Sequence, residues 1–194
     1  LKNHTKVIYR NYIYLKIDDE NKNLKYSIKR KLTHLENIQN LTFGGINMAG
    51  MEELANHIIA VAHNSNLPVT NLQVQKVMFF SLGMHIRMNN RIDELARETY
   101  DIPFEKWQYG PVVESVYYNL NHYKNKEITE NGSYSRDYEE WDEIIERLLS
   151  VNVFDLVDIS HRFPSWANFK DDILNRNFVE PYTLNEIAED FLNE

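Results

Sequence analysis

The 194-residue sequence contains no cysteine, which excludes disulfides, thiolate metal ligands and thiol nucleophiles. No run approaches the roughly 20 apolar residues that a bilayer-spanning helix needs. The first residues lack the apolar core of a secretory signal and carry Asp18, Asp19 and Glu20 instead. Glycine-rich phosphate loops and nucleophile elbows are also missing. What remains is 43% hydrophobic and 26% charged, the range of a chain that buries a core. These absences read as a cytoplasmic protein that needs no cofactor and has no membrane partner.

The net charge of −8 divides unevenly. Residues 1–47 carry nine Lys/Arg against four Asp/Glu, whereas residues 48–194 carry twelve against twenty-five, so the two parts stand at +5 and −13. A body at −13 repels phosphates and favours a basic partner, so nucleic acid is not expected on it. The first 47 residues read as a basic leader or arm outside the domain. Val7-Ile8-Tyr9 and Tyr12-Ile13-Tyr14-Leu15 have strand-forming composition, but an isolated hairpin is marginally stable. Gly44-Gly45-Ile46-Asn47 before Met48 is also what a purine-rich ribosome-binding sequence gives on translation. The sequence therefore suggests a start at Met48 or Met51. A genuine arm is the alternative.

From Met51, apolar residues at Leu54, Ala55, Ile58, Ile59 and Ala62 form one helical stripe that Pro68 ends. Thr70 with Gln73 has the capping-box pattern for a helix to about Met88, whose apolar residues surround it and make it central. The stretch 91–108 predicts a loop with a short extended piece. Gly110-Pro111 predicts a helix start, with Pro111 in the first turn and Val112, Val113, Val116, Tyr117, Leu120 and Tyr123 on its buried side. A polar loop follows to Arg136. Asp137 with Glu140 then predicts a cap for a helix through Trp141, Ile144, Ile145, Leu148 and Leu149. Leu156 to Ile159 read as a short helix, Pro164 to Phe169 as a connection, and Thr183 with Glu186 as the cap of a final helix to Leu192. The expected fold is all-α: a single compact domain at 48–194, about six helices with one long irregular connection.

The most distinctive cluster is Trp107-Gln108-Tyr109-Gly110-Pro111-Val112-Val113 with Val116-Tyr117. Gly110 permits a sharp turn, and Trp107 and Tyr109 can fold over the element that follows. It reads first as a structural corner and second as a recognition surface. Lys76 reads as a lysine snorkelling at the core edge, or with Gln75 as part of a partner-facing polar pocket. Glu53 and His57 read as a solvated i, i+4 pair. The acidic stretch at 137–143 reads as a solvated helix start. Ser160 and His161 are adjacent on a helix and point about 100° apart, so they make no nucleophile–base pair.

These residues carry a resemblance. Gln75-Lys76-Val77-Met78-Phe79-Phe80, the Trp107-to-Tyr117 cluster, Leu156 to His161 with Pro164 and Trp166, and the closing helix at 183–192 resemble the successive blocks of the SocA-like (Panacea) antitoxin family, which includes phage-associated proteins. The resemblance spans about residues 51–192, with Ser160 where the family has threonine and Ser165 inserted before Trp166. It implies a non-enzymatic antitoxin that neutralises a cognate protein toxin by direct contact, in some members as an adaptor to a bacterial protease complex. Gln75, Lys76, Trp107, Tyr109, Gly110, Pro111, Tyr117, His161 and Trp166 are the expected partner-binding residues, with no catalytic or metal-ligating set. The alternatives are a phage-associated regulator that binds nucleic acid through Lys29-Arg30-Lys31 in the basic arm, and an enzyme built around His161 and Trp166.

Overall fold

The computed structural model describes Ala49–Asn193. The leader, its expected strands and its basic triplet lie outside the described residues. The described residues form one compact unit.

Two helices that pack on each other begin the domain. Helix α1, Met51–Asn64, buries the stripe expected of it: Leu54, Ala55, Ile58, Ile59 and Ala62 are all inside. Asp101 acts as a distant cap, accepting a 2.8 Å hydrogen bond from the Met51 N–H and so satisfying one of the orphan donors of the first turn. Helix α2, Asn71–Asn89, opens with the full capping box between Thr70 and Gln73 and ends in left-handed Asn90 (φ 51°). It is apolar round most of its circumference and is buried on nearly all sides, as a helix in the middle of a bundle must be. Phe79 at its centre touches the rings of Phe80, Phe104, Phe163, Tyr182 and Phe191. The final helix crosses α2 at Gly83, where any side chain would run into the ring of Phe191.

After α2 come α3 (Glu94–Thr99), strands β1 (Glu105–Trp107) and β2 (Gly110–Val112), α4 (Glu114–Leu120), and a 3₁₀ turn at Asn121–Tyr123. A second 3₁₀ segment, Arg136–Trp141, leads into α5 (Asp142–Leu149). Helices α6 (Val153–Ser160), α7 (Pro164–Ala167), α8 (Lys170–Leu174) and α9 (Leu184–Leu192) complete the domain. The architecture is broadly all-α. Three expectations are corrected. Pro111 lies in a β-strand, not a helix, and the helix begins three residues later at Glu114. The cap near residue 137 is Ser135, whose hydroxyl accepts from the Asp137 N–H at 3.3 Å, and a 3₁₀ turn precedes the α-helix. Short helices α3 and α7 occupy stretches expected to be a loop and a connection, because four to six residues are too few to display a 3.6-residue repeat. Among the described residues no helix is long and apolar enough to cross a membrane.

Candidate functional site

The hairpin β1–β2 forms a corner standing on a buried polar lock. Its register pairs Glu105 with Val112, Lys106 with Pro111 and Trp107 with Gly110. Antiparallel pairs alternate between exchanging two hydrogen bonds and exchanging none. Pro111 has no N–H, so the Lys106–Pro111 pair is the non-bonded one. Proline therefore costs this ladder nothing.

Beneath β2, one face of α2 reaches upward. Asn71 donates through its amide to the Tyr117 carbonyl at 3.0 Å, Gln75 accepts from the Val113 N–H at 2.8 Å, and Lys76 donates to the Pro111 carbonyl at 2.7 Å. Gln75 and Asn71, four residues apart and so on one face of the helix, also bond each other at 3.4 Å. Gln75 and Lys76 have no exposed surface. The expectation of a snorkelling lysine and a partner-facing pocket is thus overturned: both side chains point into the domain and satisfy backbone groups that the corner would otherwise bury unpaired. Burial alone holds the Lys76 ammonium well below its usual pKa, because its charge has left water without a carboxylate in compensation.

Gly110 closes the lock. Its φ of +88° is one that side-chain-bearing residues rarely adopt, and a Cβ there would sit 2.5 Å from the Ser160 hydroxyl and 3.1 Å from the Lys76 Nζ. From the other side the Trp166 indole N–H donates to the Trp107 carbonyl at 3.0 Å. The His161 ring stacks on Trp166 with centroids 3.7 Å apart and planes 13° from parallel. Burial lowers the His161 pKa, with nearby Lys76 adding to the effect. Ser160 turns away from His161 and donates to the Val157 carbonyl at 2.8 Å, so the two do not form a catalytic pair.

The nine expected site residues separate into two groups. Gln75, Lys76, Gly110, Pro111 and Trp166 are buried supports. Trp107, Tyr117 and His161 are half-buried, and Tyr109 is 55% exposed. Trp107 meets Tyr117 edge to face at 4.9 Å and Tyr118 at 6.5 Å; Tyr118, 58% exposed, was not anticipated. Its signal was available, since it directly follows Tyr117 on a helix whose N-terminus the corner sets. Asn71 was also missed, although a polar residue four before Gln75 on an apolar helix marks a shared buried face.

A second polar centre lies under the 124–141 connection. His57, expected to be solvated, is fully buried. Its Nδ1 accepts from the Ser135 N–H at 3.1 Å, and its Nε2 contacts the Asp142 carboxylate at 2.8 Å. The backbone donor at Nδ1 fixes the tautomer, so the proton sits on Nε2 and is donated to Asp142. Tyr134 donates to the other Asp142 oxygen at 2.8 Å and lies against the His57 ring. Gly132 passes so close to the backbone of α1 at Asn56 and Ala60 that a side chain would not fit. Glu139 and Glu140 are exposed as expected, but Tyr138 between them and the core is buried, with its hydroxyl at 3.0 Å from the Gly50 N–H.

No curated protein and no solved structure matches the chain. Residues 74–167, which contain the QK pair, the hairpin corner and the His161–Trp166 stack that braces it, match the family described as antitoxin SocA-like, Panacea domain.

Proposed function

We propose that the domain is a non-enzymatic antitoxin that neutralises a cognate protein toxin in the cytoplasm by covering its active surface. The observation that carries this reading is the solvent-facing aromatic patch of Trp107, Tyr109, Tyr117 and Tyr118 on a backbone fixed from below. Tyrosine and tryptophan dominate interface energetics because each buries a large amphipathic area at little entropic cost. A rigid corner adds to that advantage, since little ordering remains to be done on binding. The acidic body favours a basic toxin. Delivery of the toxin to a protease would need a second, separate surface and follows only if the first contact holds.

The test is co-expression of the full chain with the protein encoded beside it. The neighbour alone should arrest growth, and the wild-type chain should restore it. Tyr109→Ala with Tyr118→Ala should abolish the rescue while changing the unfolding free energy only by the amount expected of exposed positions, about 0.5 kcal/mol each. Rescue that survives this double substitution would remove the patch from the mechanism.

A further inference from the structure

The sequence contains one Asn-Gly step, Asn131-Gly132. Asparagine is labile when the next backbone nitrogen can reach its side-chain carbonyl carbon, and a following glycine, with no Cβ, leaves that approach open. Asn131 is exposed and lies in the irregular chain of residues 131–135. Among the described residues neither its amide nor the Gly132 N–H has a hydrogen-bond partner. Two helical asparagines show the protected alternative. Asn56 and Asn89 donate to the Glu52 and His85 carbonyls one turn back, at 2.9 and 3.0 Å, and the N–H that follows each is bonded within its own helix or cap.

The nitrogen that would react is held in place, and the side chain that must reach it is not. Gly132 lies against α1, where a Cβ would come within 2.7 Å of the Ala60 nitrogen and overlap the Asn56 carbonyl. The chain is fastened on both sides of it. Upstream, the Ile128 N–H donates to the Val69 carbonyl at 2.8 Å, and the Ile128 carbonyl lies 2.9 Å from the His63 Nε2. Downstream, the Tyr134 hydroxyl donates to Asp142 at 2.8 Å and the Ser135 N–H to His57 at 3.1 Å. The motion needed to close a ring therefore falls to the exposed Asn131 side chain, which has no bond to break first.

We infer that Asn131 is a site of spontaneous deamidation whose isoaspartyl product unseats Gly132 from α1. The Gly132 nitrogen loses its proton to hydroxide and attacks the Asn131 Cγ. The N–Cγ bond forms, the Cγ–Nδ2 bond breaks, and ammonia leaves with a proton from water, which regenerates the hydroxide. Water then opens the five-membered imide at either carbonyl, and no oxidant or reductant takes part. Opening at Cγ leaves aspartate. Opening at the Asn131 main-chain carbonyl leaves isoaspartate, which adds one methylene to the backbone directly before Gly132. Close packing against α1 leaves no room for that displacement. The Tyr134 and Ser135 links, two and three residues on, are the first that it strains. The step is one-way, so it limits how long the connection stays fastened to α1 and α5, and it does not depend on the antitoxin reading.

The full chain is incubated in neutral buffer for several weeks and sampled by peptide mapping, with isoaspartate counted by enzymatic carboxyl methylation. Asn131 should lose its amide, at a rate that rises in proportion to hydroxide, and Asn131→Gln, at the same exposed position, should abolish the conversion there. The converted fraction, separated by its extra negative charge, should show lost hydrogen-exchange protection at Ser135 relative to Asn131→Gln aged alongside. An intact Asn131 amide at the end of the incubation, or a rate indifferent to pH, would overturn the reaction. Isoaspartate at position 131 with unchanged protection at Ser135 would overturn its link to the fold.

Discussion

At the scale of single residues, the corner depends on two positions whose chemistry cannot be exchanged. Gly110 has a positive φ and no space for a Cβ. Gly110→Ala should destabilise the domain by about 1–3 kcal/mol, measured by chemical denaturation. Part of that cost is the Ser160 hydroxyl and part is the backbone conformation. In a Ser160→Ala background the penalty should therefore shrink without vanishing. A penalty identical in both backgrounds would mean that the hydroxyl is not what the new methyl meets. Lys76 makes a different argument. Burial lowers its pKa, so folding disfavours the ammonium. Between the folded-state pKa and the unfolded value of about 10.4, the unfolded chain holds a proton that the folded chain does not. Stability contributed at this site therefore rises with pH through that window, and the full penalty is present below it. Lys76→Met should remove the rise. It should also leave the Pro111 carbonyl buried without a donor, at a cost of about 1–3 kcal/mol. The difference between wild-type and Lys76→Met unfolding free energies, followed from neutral to alkaline pH, checks both parts. A flat difference would show that Lys76 keeps an ordinary pKa.

At the scale of elements, His57 joins α1 to the start of α5 and to the connection before it. Its pKa is lowered, mainly by burial and against the pull of Asp142. A lowered histidine pKa means that the folded state prefers the neutral ring. Its contribution is complete above the unfolded value of about 6.5 and is lost as pH falls from there through the folded-state pKa. Protonation must occur on Nδ1, which expels the Ser135 N–H. The Ser135 amide resonance should consequently titrate together with the His57 ring, with a midpoint below 6.5, and amides at 133–136 should lose protection in acid relative to their intrinsic exchange rates. A Ser135 amide that ignores the His57 titration would refute the tautomer assignment. Helices α1 and α9 were legible in the sequence because each shows its apolar stripe, and α2 because a capping box opens an apolar run too long for a strand; both capping boxes lie where Thr70–Gln73 and Thr183–Glu186 indicate. The hairpin was not legible. Proline after glycine marks the first turn of a helix and an edge strand equally well, and only the cross-strand partner Lys106 distinguishes them. His57 and Asn71 were hidden for a related reason. Sequence spacing places a polar residue on a helix face, but it does not tell which other element will cover that face.

At the scale of the whole molecule, charge and shape act on different stages of binding. Most acidic side chains among the described residues are exposed or half-buried and are spread along the whole domain, whereas the aromatic patch is local to the corner. Long-range attraction toward a basic toxin would act before contact and would be screened by salt, with a Debye length of about 8 Å at physiological ionic strength. Aromatic burial would act after contact and is insensitive to that screening. The two contributions should therefore separate kinetically. The association rate of chain and toxin, followed by stopped-flow fluorescence, should fall steeply as salt is raised, while the dissociation rate stays nearly constant. Tyr109→Ala should do the reverse, raising dissociation with little change in association. If salt left association untouched, the acidic surface would have no part in recognition, and the toxin would have to be found by the corner alone.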